Sequence, residues 1–284
     1  MPSGAERFAK RCATFGRIPT LAALVTAVLL PGFAPYGTGP RGGVVLQGTF
    51  PGGLRPGFVY LPPHFTRSRT YPVVYLLHGM PGSPTEYLDG TDLATWADEA
   101  ISSGAVKPFI AVLPAAGADR DYNGEWAGPW ERELVDRLVP WVDANLPTIA
   151  SPRGRVIAGL SAGGFGAADI GLRHPDLFGA IESWSGYFVP LHDGPFKDAS
   201  KTVLADNDPV TLAGHKAALL RADGVRFFVS TGPFHSHWFR PGQSLEFTRE
   251  LRSLGLPVRY HRYANAKGEW RAQLDTGLEW AFRR

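Results

Sequence analysis

The chain has 284 residues, 44% of them hydrophobic and 19% charged, the profile of a globular protein with enough apolar material for a full core. Its formal net charge is only +3, with no long Lys/Arg run and no nucleic-acid-reading motif, so composition points away from a nucleic-acid partner. Cys12 is the sole cysteine, which excludes an internal disulfide, a cysteine nucleophile and any Cys-rich metal site.

The N-terminus differs from the rest. Arg7, Lys10, Arg11 and Arg17 precede the apolar run Leu21 to Leu30, a basic segment followed by a hydrophobic one, as in an export signal. Even extended over residues 18–34 the run falls short of the ~20 residues of a comfortable spanning helix. Residues 1–34 are therefore read as an export signal or signal anchor, with possible membrane association through residues 18–34. The Gly/Pro-rich stretch 35–43 reads as a linker, and residues 44–284 as one domain.

Alternating strand and helix patterns fill that domain. "GVVLQGTF" and "PGFVYLP" read as opening antiparallel strands. "YPVVYLLHG", Tyr71 to Gly79, is a continuous apolar run, as a strand covered on both faces requires. A helix is expected over Asp92 to Ser103, then the strand "FIAVLP". The apolar stripe Leu134, Val135, Leu138, Val139 and Val142 predicts a helix over Glu131 to Asn145. "RVIAGL" predicts a strand and Gly163 to His174 a helix; "GAIESWSG" and "VRFFVSTG" are further strands. Asp208 before Pro209 reads as the N-cap of a helix. A helix over Ser244 to Leu254, the strand "PVRYHRYA" and a last helix from Trp270 to Phe282 complete an α/β pattern with a mostly parallel sheet flanked by helices.

Between "RVIAGL" and its helix stands Gly159-Leu160-Ser161-Ala162-Gly163. A G-x-S-x-G in a strand-to-helix turn is a nucleophile elbow. The backbone N–H of Ala162 would be one oxyanion donor, and the helix N-terminus adds a favourable field. "LLHGMPGS" offers the second donor, Met80 N–H, with Gly79 expected to permit an unusual backbone conformation. Tyr122, Trp126, Trp130, Tyr187 and Trp238 are aromatic residues near the proposed cleft. Trp126, Tyr122 and Trp238 are taken as substrate-lining, with Glu125 as polar lining.

"PVVYLLHGMPGS", "AGLSAGG", "HPDLFGAIESWSG" and "WRAQLDTGLEW" resemble the esterase D group of the α/β-hydrolase family, which includes mycolyltransferases, enterochelin-type esterases and feruloyl esterases. The likeness runs from about Val44 to the C-terminus. It implies the α/β-hydrolase fold, a nucleophile at Ser161, oxyanion donors at Met80 and Ala162, no cofactor, and ester substrates whose acyl groups pass to water or to a sugar hydroxyl.

Two positions depart from that group. Its acid follows the penultimate strand, where this chain reads "STGPFHSHW"; no Asp or Glu lies between Asp223 and Glu246. Its histidine stands five residues before the tryptophan that opens the last helix, and counting back from Trp270 gives Asn265. Asparagine cannot take the serine proton. His235 and His237, in the loop where the acid usually stands, are chemically able to act as base. The His-x-His spacing also suggests a metal, but no third ligand is close in sequence, and none is assigned. His261, inside the last strand, reads as a core histidine. Lys267 reads as an exposed loop residue. Two functions follow. One is an exported or membrane-anchored serine esterase or acyltransferase acting on lipid or cell-envelope esters, with an atypical triad. The other is a non-catalytic protein of the same fold that binds a glycolipid, a sugar or an envelope partner.

Overall fold

The structure, a computed structural model, describes residues 30–53, 55–116, 125–232, 242–264 and 269–283. The chain divides into two units, residues 1–31 and 32–284. Cys12 and nearly all of the expected export segment lie outside the described residues. Among the described residues no helix is long and apolar enough to cross a membrane.

Among the described residues the second unit is built on nine strands: β1 (Phe33–Thr38), β2 (Val44–Gly48), β3 (Gly57–Leu61), β4 (Val73–Leu77), β5 (Ile110–Leu113), β6 (Arg155–Leu160), β7 (Ala180–Trp184), β8 (Arg226–Thr231) and β9 (Val258–Arg262). They form one sheet in the order β1-β2-β3-β5-β4-β6-β7-β8-β9. The first three pair antiparallel and join β5 antiparallel. From β5 through β9 every pairing is parallel. This is the mostly parallel, helix-flanked sheet that the strand–helix alternation predicts.

The uninterrupted apolar runs become the central strands. β4 and β6 are buried at every position because helices cover both faces. On one face, Leu93, Ala97 and Ile101 of the helix Leu93–Ser102 meet Leu274, Leu278 and Phe282 of the helix Glu269–Phe282, over Val74, Leu76, Ala158, Leu160 and Trp184. On the other, the helix Ala162–Arg173 lies against β4, β6 and β7. Its small residues let it approach closely: a Cβ at Gly171 would stand 2.6 Å from Ile181 Cγ1.

Two sequence expectations need correction. Residues 35–38, read as linker, belong to edge strand β1, with Phe33 packed against Phe50 and Trp141 at ring distances of 5.0 and 5.5 Å. Pro and Gly hid the strand, yet an edge strand tolerates a proline whose missing N–H no ladder needs. His261, read as a core histidine, is only half-buried, because β9 closes the edge of the sheet; its ring leans on Tyr263 at 4.3 Å.

Candidate active site at the elbow

β6 ends at Leu160, Ser161 takes φ 51 and ψ −114, and a helix starts at Ala162. A side chain at positive φ is strained and persists only where its surroundings fix it. Here Ser161 N–H donates to Trp184 O at 2.9 Å, and Ser161 O accepts from Phe165 N–H at 3.0 Å. The two glycines of the motif are required by close approach. A Cβ at Gly159 would stand 2.2 Å from Gly163 O, and one at Gly163 would stand 1.9 Å from Leu77 O. The turn thus presents a half-exposed serine at the carboxyl end of the strands, where ligands gather in open α/β sheets.

The residues of the two proposed oxyanion donors meet one apolar cluster. Met80 and Ala162 share one apolar cluster with Ala127, Phe165, Tyr187 and Phe196. His78 explains how the Met80 N–H is aimed. Its imidazole is fully buried; Nδ1–H donates to Gly79 O at 2.8 Å and Nε2 accepts from Ala116 N–H at 3.1 Å. Burial pushes its pKa down to about 4, so the ring is neutral and both nitrogens are engaged. In a trans peptide the C=O and N–H point opposite ways. With Gly79 O turned to His78, the N–H of the same peptide group, that of Met80, points away from the ring. His78 is thus a loop strap with no nitrogen left for Ser161, a role the motif "HGM" does not announce by itself. Gly79 corrects an expectation. It does not take positive φ, and a Cβ there would meet Ser161 Cβ at an ordinary 3.6 Å. The tight glycine of this loop is Gly82, whose Cβ would stand 2.6 Å from Gly79 O.

Trp126, expected to line substrate, is 2% exposed. Its indole N–H donates to His78 O at 2.9 Å, and its Cβ blocks any side chain at Gly166 of the elbow helix, so it props the site from behind. Glu125 and Tyr187 are likewise buried. Tyr187 O–H donates to Glu125, and Tyr187 stacks on Phe165 at 5.1 Å. Burial above all, with Asp193 nearby, pushes Glu125 up to about 8. Trp130 is half-buried beside Trp126 in a small cavity lined also by Phe50 and Leu138. Tyr122, His235, His237, Trp238, Asn265 and Lys267 lie outside the described residues.

At the ends of β7 and β8, beside the loop that carries the family acid, sequence reasoning missed a neutral network. Ser230 Oγ donates to Gln273 Oε1 at 2.6 Å, Gln273 Nε2 donates to Ser185 Oγ at 3.0 Å, and Gly232 N–H donates to Ser185 Oγ at 3.3 Å. Ser185, like Ser161, Glu125 and Trp126, sits at positive φ, here 48. The one available signal was a glutamine, Gln273, beside the buried stripe Leu274 and Leu278. Among the described residues no group of three or more His, Cys, Asp or Glu side chains is placed to hold a metal ion.

Comparison with known proteins agrees with this geometry. The family Esterase ("Putative esterase") matches residues 51–281. Esterase Rv1288 of Mycobacterium tuberculosis is 37% identical over 141 residues, covering 47% of this chain and 30% of that protein. Diacylglycerol acyltransferase/mycolyltransferase Ag85B of Mycolicibacterium smegmatis is 31% identical over 192 residues, covering 59% of this chain and 55% of that protein. The chain thus spans about a third to a half of the length of these relatives. Among solved structures, a ferulic acid esterase superposes with a TM-score of 0.70 at 24% identity, covering 88% of this chain and 96% of that one. That likeness is one of fold, and the family match extends it to descent: the chain belongs to the esterase family, on an α/β-hydrolase fold.

Proposed function

We propose that the protein is a serine esterase or acyltransferase, exported or membrane-anchored through its N-terminal segment, that acts on lipid or cell-envelope esters. One observation carries this reading: a strained, half-exposed serine stands at the end of β6, just before the first residue of the helix Ala162–Arg173, in a G-x-S-x-G turn. Ser161 Oγ attacks the ester carbonyl and hands its proton to a base. Met80 N–H and Ala162 N–H receive the oxyanion. The alcohol leaves with a proton, and water or a sugar hydroxyl then takes the acyl group from Ser161. The segment 233–241 supplies the base, His235 or His237.

The test is turnover of p-nitrophenyl esters together with fluorophosphonate labelling. Ser161→Ala abolishes both. His235→Ala or His237→Ala lowers kcat by about 10²–10⁴-fold while the melting temperature holds. A purified, folded wild type that neither labels nor turns over would sink the reading. The neutral Ser185–Ser230–Gln273 network then favours the second one, a non-catalytic member of the fold that binds a glycolipid, sugar or envelope partner in the same cleft.

A further inference from the structure

One peptide group joins the neutral network at the ends of β7 and β8 to the elbow. β6 ends at Leu160 and β7 at Trp184, yet the ladder continues one rung beyond each of them. Trp184 O accepts from Ser161 N–H at 2.9 Å, and the N–H of the same peptide, that of Ser185, donates to Ser230 O at 2.8 Å. In a trans peptide the two groups point opposite ways. The Trp184–Ser185 peptide therefore spans from the nucleophile's turn to β8. The residues at these two extra rungs, Ser161 and Ser185, sit at φ 51 and 48. Side chains at positive φ stay there only where their neighbours fix them, and rungs at strand ends are the first to open.

Gln273 supplies the hold. It is fully buried in the helix Glu269–Phe282, and its neighbour Leu274 packs in the same core cluster as Trp184. Its Oε1 accepts from Ser230 Oγ at 2.6 Å, and its Nε2 donates to Ser185 Oγ at 3.0 Å. Ser185 Oγ also accepts from Gly232 N–H at 3.3 Å. A closed ring results. It runs from the Gln273 amide to the Ser185 side chain, through Ser185 N–H to Ser230 O, and back by the Ser230 hydroxyl. An amide carries a donor and an acceptor on one rigid plane, so it sets the separation of the two serines as well as satisfying them.

We propose that Gln273 is a positioning residue for Ser161: by holding Ser185 and Ser230 together it fixes the Trp184–Ser185 peptide, whose carbonyl receives the Ser161 N–H. Its catalytic consequence rests on the serine-esterase reading; its structural consequence does not. Without the ring, Ser185 is free to leave positive φ, and the Trp184 carbonyl turns with it. The elbow then loses the backbone bond that steadies the nucleophile.

The experiment uses Gln273→Met, which keeps the length of the side chain and removes both polar atoms. It reads amide hydrogen exchange together with fluorophosphonate labelling at Ser161. In the wild type the Ser161 and Ser185 amides exchange slowly. In Gln273→Met both exchange about tenfold faster or more, while β4 keeps its protection. Labelling slows about tenfold, short of the ~10²-fold that a 1 Å misplacement costs. For p-nitrophenyl acetate kcat falls by the same factor and KM stays within about twofold, because substrate binding is untouched. Tyr60→Phe is the control for lost stability. It removes the buried bond to Asp98 Oδ1 at 2.7 Å on β3, away from β7 in the sheet, and labels at the wild-type rate. Wild-type labelling in Gln273→Met, slow exchange of both amides in that variant, or equal slowing in Tyr60→Phe overturns the proposal. If Gln273→Met does not fold, Ser230→Ala, which removes one bond of the ring, carries the same comparison. A wild type that shows the protected amides yet neither labels nor turns over overturns the esterase reading, and the exchange comparison alone then decides the Gln273 tether.

Discussion

The edge that carries the candidate site has two halves, and they are made of different materials. At the ends of β4 and β6 the site is backbone: the strained Ser161, the N–H groups of Met80 and Ala162, and glycines at 159 and 163 that no other residue can replace without a collision. At the ends of β7 and β8 it is side chain: Ser185, Ser230 and Gln273, neutral groups satisfied by one another. The backbone half cannot drift without breaking the packing of helix Ala162–Arg173 on the sheet. The side-chain half is held by hydrogen bonds among neutral groups.

Substitution on each side breaks or sustains that contrast. Gly163→Val places a branched side chain where even a Cβ stands 1.9 Å from Leu77 O, a backbone atom that cannot yield. We expect a loss of about 3 kcal/mol or more, read as failure to recover folded protein or a collapse of the melting temperature. Gln273→Leu, in the other half, leaves Ser230 and Ser185 short of a partner and costs about 1–3 kcal/mol, with the sheet intact by circular dichroism. Equal losses from the two variants would remove the distinction.

The same division decides what could be read from the sequence. The central strands, the elbow and the Asp208 cap are legible because each rests on a local rule: a continuous apolar run, a motif in a strand–helix turn, an Asp before Pro. Residues 35–38 of β1 were lost because Pro35 and Gly37 look like linker, and only pairing with β2 makes them strand. The role of His78 went unread and Trp126 was taken as lining because their work is long-range. The ring of one meets Ala116 N–H, and the indole of the other meets His78 O across 48 positions. Glycine roles within "HGMPGS" also depend on neighbours, so Gly79 drew the attention that Gly82 needed. The candidate base was named from the sequence alone and stays a proposal, with segment 233–241 outside the described residues.

A pH effect reaches both halves. Glu182, fully buried on β7, has Oε2 on the Trp184 indole N–H at 2.9 Å and Oε1 without a partner. Asp169, fully buried on the elbow helix, has neither oxygen partnered. Burial pushes each up to about 8, against which the Trp184 hydrogen bond and Arg226 near Glu182, and Arg173 and Lys216 near Asp169, act only in part. A raised folded-state pKa gives stability that is full below the ordinary carboxylate range and is lost as pH rises through about 8. Each group takes up to ~1.4 kcal/mol per pH unit within that window. The melting temperature should therefore fall between pH 6 and pH 9, and Glu182→Gln, neutral throughout, should flatten the fall. An identical slope in the variant would show that Glu182 ionises no differently in the folded and unfolded chains.

The smallest effect serves as the control that belongs to neither half. Asp208 caps the helix Pro209–Ala222, its Oδ1 accepting from Thr211 N–H at 2.7 Å. Asp208→Ala should cost ~1 kcal/mol, and kcat should not move, since the cap touches neither the elbow nor the Ser185–Gln273 network. The cost should also depend on pH. The Asp208 charge helps to raise Asp169, so removing it eases the ionisation of Asp169 in the folded state. The deficit of the variant relative to wild type should therefore be larger at pH 6 than at pH 9. A deficit that is constant across that range would mean Asp208 acts on the helix terminus alone. A deficit that grows toward pH 9 would contradict the sign of the coupling.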